Sequence, residues 1–240
     1  MGRSAANRAF LVGLGGVLLI TSGCTRTVSG SGNVTSTPVP VSTFSRLAVS
    51  NAFDVTVSFG DQENVTLRVD DNIVGHLDVG VSDGTLHVGL ESGTSVRDAT
   101  LHADVTAQTL SSIHISGASQ VHLSDVLSGE RVGMVVSGAG RLDGTAQVHL
   151  ATLELSGASN AKLSGSAGRL EVTQSGASQL DAVDLDVSEL AIDLSGASTA
   201  DVSVTGTISA GVSGASSLRY RGSPTFTRRE VSGGSSIEPA

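Results

Sequence analysis

One short motif, Ser-Gly-Ala or a close variant of it, returns along the second half of this chain at a nearly fixed interval. Its first glycine falls at Gly117, Gly138, Gly157, Gly176, Gly196, Gly214 and Gly233, with spacings of 21, 19, 19, 20, 18 and 19 residues. A constant period near 20 is the mark of a solenoid, in which each repeat is one supersecondary unit that buries its apolar face only against its neighbours. Within a unit, apolar residues alternate with polar ones on both sides of the motif, as in Leu153-Glu-Leu155-Ser-Gly-Ala-Ser159-Asn-Ala161-Lys-Leu163, and a third run, Leu170-Glu-Val172, follows Gly165. Alternation with period two specifies strands. At about 3.3 Å per residue, three short strands and their corners close one turn of a small cross-section, and turns stack about 4.8 Å apart. The expected fold is all-β: a single-stranded parallel β-helix with coils of about 19 residues, right-handed by the general rule for parallel crossovers.

Stacking places like residues above one another, which accounts for the corner. Glycine takes positive φ without a Cβ penalty, alanine fits where the wall turns inward, and the serines can pass hydrogen bonds along the stack. The seven glycines are therefore read as structural corners. The repeat reaches back into the first half, where Leu47-Ala-Val-Ser50-Asn51-Ala52-Phe53-Asp-Val55 lines up with Ile113-His-Ile-Ser116-Gly117-Ala118-Ser119-Gln-Val121. Asparagine replaces glycine there as the other residue that tolerates the left-handed region. Residues 44–110 are accordingly expected to be a divergent start of the same stack, and 111–236 its regular part. Phe44, Phe53 and Phe59 are available to close the open end of the core.

The aliphatic core is dictated by composition: 39% of residues are hydrophobic but only 2% aromatic. Lys162 is the one lysine, so no basic surface interleaved with aromatics exists to hold a nucleic acid. Ahead of the strands, Arg3 and Arg8, the apolar run from Ala9 to Ile20 and the small residues Thr21-Ser22-Gly23 read as a signal peptide over residues 1–23. Cys24, the one cysteine, follows directly and resembles the lipid-accepting residue of a bacterial lipobox, although Thr21 stands where leucine is usual. Cleavage removes two arginines and no acid, moving the formal charge from −9 to −11. An acidic protein needs lipid rather than charge to hold it to anionic headgroups. Residues 24–43, rich in Gly, Ser, Thr and Pro, read as a lipid-anchored tether or an irregular lead-in strand.

Gly30-Ser-Gly-Asn-Val34, Val49-Ser-Asn-Ala-Phe-Asp-Val-Thr-Val57, Asp71-Asn72, Asp83-Gly84-Thr-Leu86 and the Ser-Gly-Ala-Ser series together resemble the bacterial putative autotransporter adhesin, head GIN domain family, over about residues 30–236. The resemblance implies a β-helical envelope protein, exported or lipid-anchored. It brings no catalytic residue with it.

Catalysis and metal binding have weaker candidates. Asp181, Asp184, Asp186, Asp193 and Asp201 could supply the paired carboxylates of a glycoside hydrolase or hold Ca²⁺, but their alternation with Val183, Leu185, Val187, Ile192 and Leu194 places most of them on the outer face. His114, His122 and His149 alternate likewise and lack zinc-motif spacing. Arg219, Arg221, Arg228 and Arg229 gather with Tyr220 and Phe226 near the C-terminus, as an end cap or as a small anion contact. The expectation is a non-enzymatic, lipid-anchored adhesion or interaction scaffold of the cell envelope, without metal or cofactor. Its partners would be the membrane, through Cys24, and an envelope protein or surface glycan. A polysaccharide-active enzyme and an envelope-stress or signalling accessory are the alternatives.

Overall fold

The computed structural model describes residues 26–240; the signal peptide and Cys24 lie outside the described residues. The lead-in holds β1 (Arg26–Ser29) and β2 (Val34–Val39), so the segment expected to tether the body is itself built into it. There follow β3 (Arg46–Val49), β4 (Asp54–Phe59), β5 (Asn64–Asp70), a single 3-10 turn (Val74–His76), β6 (Leu77–Ser82), β7 (Thr85–Leu90), β8 (Thr94–Arg97) and β9 (Leu101–Ala107). The regular coils comprise β10 (Ser112–Ile115), β11 (Gln120–Leu123), β12 (Leu127–Val136), β13 (Arg141–Leu155), β14 (Asn160–Gln174), β15 (Gln179–Leu194) and β16 (Thr199–Val212). β17 (Ser217–Arg221), β18 (Thr225–Val231) and β19 (Ser236–Pro239) make the last coil.

From β10 onward every ladder is parallel and joins each coil to the next, which is the β-solenoid expected from the repeat. One inward column runs Leu86, Leu47, Ile113, Met134, Leu153, Val172, Ile192, Ala210 and Arg229, one residue per level. Beyond the corner a second column runs Ala103, Val55, Val121, Leu142, Ala161, Leu180, Ala200, Leu218 and Ile237. All members of both columns except Arg229 are buried. Small aliphatic side chains suffice because each lies directly over its equivalent in the next coil, at strand spacing.

The Leu47–Val55 alignment with Ile113–Val121 is the observed register: Leu47 pairs with Ile113 and Val55 with Val121. The levels do not, however, follow chain order. The coil of β3 and β4 lies between β7–β9 on one side and β10–β11 on the other, so the chain builds outward first and then returns to extend the stack in the opposite direction. This reversal uses antiparallel strands that the repeat does not announce, with β5 joining β9 to β2 and β6 pairing with β7. Phe44 and Phe53 are buried at this end and Phe59 packs against the core there.

Candidate functional site

The seven repeat glycines have φ between 69° and 79°. Their stacking adds a second requirement that the motif alone does not reveal. The amides of Ala139, Ala158, Ala177, Ala197 and Ala215 donate to the carbonyl of the corner glycine one coil back, at 2.7–2.8 Å. A Cβ on Gly138, Gly157, Gly176, Gly196, Gly214 or Gly233 would lie 2.4–2.7 Å from that same carbonyl oxygen. Gly117 is different, since a Cβ there would meet Asn51 at an ordinary 3.4 Å. Asn51 and Ala52 hold φ of 62° and 66° at the equivalent corner.

The two serines of the corner have different roles. Hydroxyls of Ser116, Ser137, Ser195 and Ser213 donate outward of the core to the preceding coil's carbonyls of Val49, Ile115, Gln174 and Leu194, at 3.1–3.4 Å. Ser119, Ser159, Ser178, Ser198 and Ser216 are buried, and the last four stack as a polar column inside the wall, Gly140 standing at the level between Ser119 and Ser159. Ser178 and Ser198 hydroxyls stand 3.3 Å apart, and the Ser198 amide donates to the Ser216 hydroxyl at 3.2 Å. Gln174 joins this column from an inward position where the neighbouring coils carry Leu155 and Leu194. Its amide nitrogen donates to Ser178 Oγ at 3.3 Å and to the Thr199 carbonyl at 3.4 Å, while its Oε1 and the Ser159 hydroxyl have no partner among the described residues. The signal for Gln174 in the sequence is a glutamine where the repeat places leucine at Leu155 and Leu194.

Outside the corner, the face formed by β11 and the leading parts of β13–β16, with β17 and β19, carries two outward rows. One row runs Gln120, Arg141, Asn160, Gln179, Thr199, Ser217 and Ser236. The other runs His122, Asp143, Lys162, Asp181, Asp201, Arg219 and Glu238. Charges of opposite sign meet along the second row, Lys162 with Asp181 at 3.7 Å and Arg219 with Asp201 at 2.6 Å, and His122 Nδ1 stands 3.4 Å from Asp143 Oδ1. The Arg219–Asp201 pair is bidentate, with a second bond of 2.8 Å from Nη2 to Oδ2, and it raises the Arg219 pKa. Arg141, Asn160, Lys162, Gln179, Asp181 and Arg219 border a shallow depression between the rows.

The five candidate aspartates do not converge. Asp181 and Asp201 are adjacent in register, but each faces its own cation. Asp193 lies on another face and pairs with Arg228 at 2.9 Å. Asp184 and Asp186 lie beside Ser164 and Ser166 on the third face, next to a break in the ladder between β15 and β16. His114 and His149 fall outside the row that holds His122, and among the described residues no group of three or more His, Cys, Asp or Glu is arranged to hold a metal ion.

Of the four C-terminal arginines, Arg219 pairs with Asp201 on the outward row, and Arg228 and Arg229 lie on β18 of the last coil. Arg228 bridges Asp193 and Glu230 across Gly211, and its hydrogen bonds to Glu230 and then to Asp193, with the charge of Asp193, raise its pKa. Arg229, at the end of an apolar column, folds over the core, donates to the Ile237 carbonyl at 2.8 Å and stands 5.4 Å from the Phe226 ring centre. Tyr220 meets Phe226 edge-on at 5.3 Å.

A family model described as "Putative auto-transporter adhesin, head GIN domain" matches residues 43–224. Among solved structures, a putative adhesin from Bacteroides fragilis is similar at TM-score 0.84 and 22% identity, covering 89% of this chain and 100% of that one. A putative lipid binding protein from Parabacteroides distasonis follows at TM-score 0.75 and 16% identity, covering 90% and 100%. A putative adhesin from Parabacteroides merdae reaches 0.72 at 16% identity, covering 89% and 99%. At these identities the likeness carries the fold alone. No curated protein matches the sequence.

Proposed function

The chain belongs to the head GIN domain family of putative auto-transporter adhesins, and from that membership we propose that it is a lipid-anchored cell-envelope scaffold that binds without catalysis. In this reading the lipid on Cys24 holds it to the membrane, and the face bearing the row from His122 to Glu238 meets an envelope protein or a surface glycan. The observation that carries the reading is the row itself: one charged or titratable side chain per coil, in unbroken register over seven coils. Exposed ion pairs contribute at most about 1 kcal/mol each, so a partner gains affinity only by engaging many of them at once. The neighbouring row of amides and hydroxyls offers donors and acceptors in the same repeat, which suits hydroxyl-rich polymers and polypeptide backbones alike.

The test is a pull-down on cell envelopes with the exported protein, comparing the unaltered chain with Cys24→Ala and with a variant reversing Lys162 and Arg219 to Glu. Membrane retention lost in Cys24→Ala, and partners lost in the charge-reversed variant, are the expected results. Partner recovery that ignores the charge reversal overturns the assignment of this face. Turnover of a polysaccharide that Asp181→Asn abolishes would replace the scaffold with a hydrolase.

A further inference from the structure

We infer that no spacer separates the anchor from the folded body, so that the end of the solenoid around Ser92 and Gly93 rests on the headgroup surface of the bilayer. This rests on the reading of Cys24 as the lipidated residue. Thr25 is the one residue between Cys24 and the first strand. From Cys24 to Arg26 the chain can therefore span at most about 7 Å.

Arg26 is already fastened. Its amide donates to the Gly93 carbonyl at 2.8 Å, and β1 runs parallel to β8 over four residue pairs, from Arg26 beside Thr94 to Ser29 beside Arg97. The Gly30 amide then donates to the Arg97 carbonyl at 3.0 Å. Beyond it, the buried carboxylate of Asp70 accepts from the amides of Gly32 and Thr100, both at 2.6 Å, tying lead-in and body to one side chain. A Cβ on Gly30 would lie 2.4 Å from the Asp98 carbonyl oxygen, so the lead-in runs as close to the body as a backbone can. Asp71 accepts from the Ser31 hydroxyl and the Asn33 side-chain Nδ2 at 2.6 and 2.8 Å, and Asn72 Nδ2 donates to the Ser29 carbonyl at 2.8 Å.

A flexible linker of 20 residues would let a body wander about 25 Å from its anchor. Here the reach is about the depth of one headgroup layer, roughly 5–8 Å per leaflet. β8 connects β7 and β9, and beyond these β6 pairs with β7 while β5 and then β2 extend from β9, so this antiparallel end of the stack meets the membrane. Arg26 and Arg97 are accompanied there by Glu91 and Asp98, so chain length and not charge sets the seating. Partners are then met only on the flanks or the far end, no further than about 40 Å along nine stacked strands.

The test uses the exported, lipidated protein in vesicles of phosphatidylethanolamine and phosphatidylglycerol containing a headgroup-nitroxide lipid. A fluorophore is placed on Ser92→Cys or, at the far end, on Ser223→Cys. Quenching several-fold stronger at position 92 than at 223 is expected, and a 20-residue Gly-Ser insert between Thr25 and Arg26 should remove the difference. Quenching at 92 that is absent, or unchanged by the insert, overturns the seating. Mass spectrometry of the N-terminal peptide separates the two readings: lipid on Cys24 without quenching at 92 defeats the seating alone, and an unmodified Cys24 defeats both.

Discussion

The corner carbonyl of Gly138 accepts the Ala158 amide at 2.7 Å, and a Cβ added to Gly157 would sit 2.5 Å from that same oxygen. Inter-coil hydrogen bonding and the glycine requirement are thus one constraint: the bond can be short because nothing projects from the residue above it. Asparagine can take the positive φ of 75° at Gly157 but cannot shed its Cβ. Gly157→Asn should therefore cost about 2–4 kcal/mol from backbone displacement and strain. Gly117→Asn, over the open approach to Asn51, should cost under about 1 kcal/mol. Urea unfolding of both variants checks the contrast, and equal losses would refute the stacking argument.

Gln174 is the one polar side chain in a column whose neighbours are Leu155 and Leu194, and its Oε1 lacks a partner. Removing a buried, unsatisfied amide and restoring the aliphatic column should stabilise the coil. Gln174→Leu is expected to gain about 1–2 kcal/mol, read as a higher denaturation midpoint with an unchanged slope. A loss of stability would mean that the bonds to Ser178 and Thr199 outweigh the stranded oxygen.

Arg229 continues the column that ends in Ile192 and Ala210, and among the described residues β18 pairs with β16 alone. Stacking another chain on this end would bury a guanidinium, which several kcal/mol of desolvation oppose. Arg229→Leu should leave an apolar end above an open edge and drive end-to-end association. Sedimentation velocity of residues 26–240 should show larger species for the variant than for the unaltered sequence; identical profiles would deny Arg229 this role.

Hydrogen bonds from Ser31 and Asn33 hold the Asp71 carboxyl below its usual range. A carboxyl depressed in the folded state contributes stability above its unfolded pKa and loses it as pH falls through the folded value. Acidification below the ordinary aspartate range should therefore loosen the lead-in, seen as faster amide exchange of residues 29–33 once intrinsic rates are corrected. Asp71→Asn should weaken protection at neutral pH and remove this acid dependence.

Much of the architecture could be read in the residues because a coil is specified by short-range pattern. Alternation told inward from outward at Leu153, Leu155 and Leu163, and the recurrence of glycine marked the corner. Matching Leu47–Val55 to Ile113–Val121 even supplied the observed register. The charged row, and the pairing of Asp193 with Arg228 on another face, were harder to see, since His122 and Asp143, or Asp193 and Arg228 at a separation of 35 residues, meet only across coils.

The sequence by itself determined the period, the parallel strands and the aliphatic interior, because each is set within a single coil of about 19 residues. Tertiary structure alone decided that the coil of β3 and β4 sits between β9 and β11, that β1 is fastened to β8, and which cation meets Asp181, Asp193 and Asp201. The physical reason is direction: pattern along the chain fixes which way a side chain points, whereas its neighbours across the stack depend on the order in which the coils are laid down.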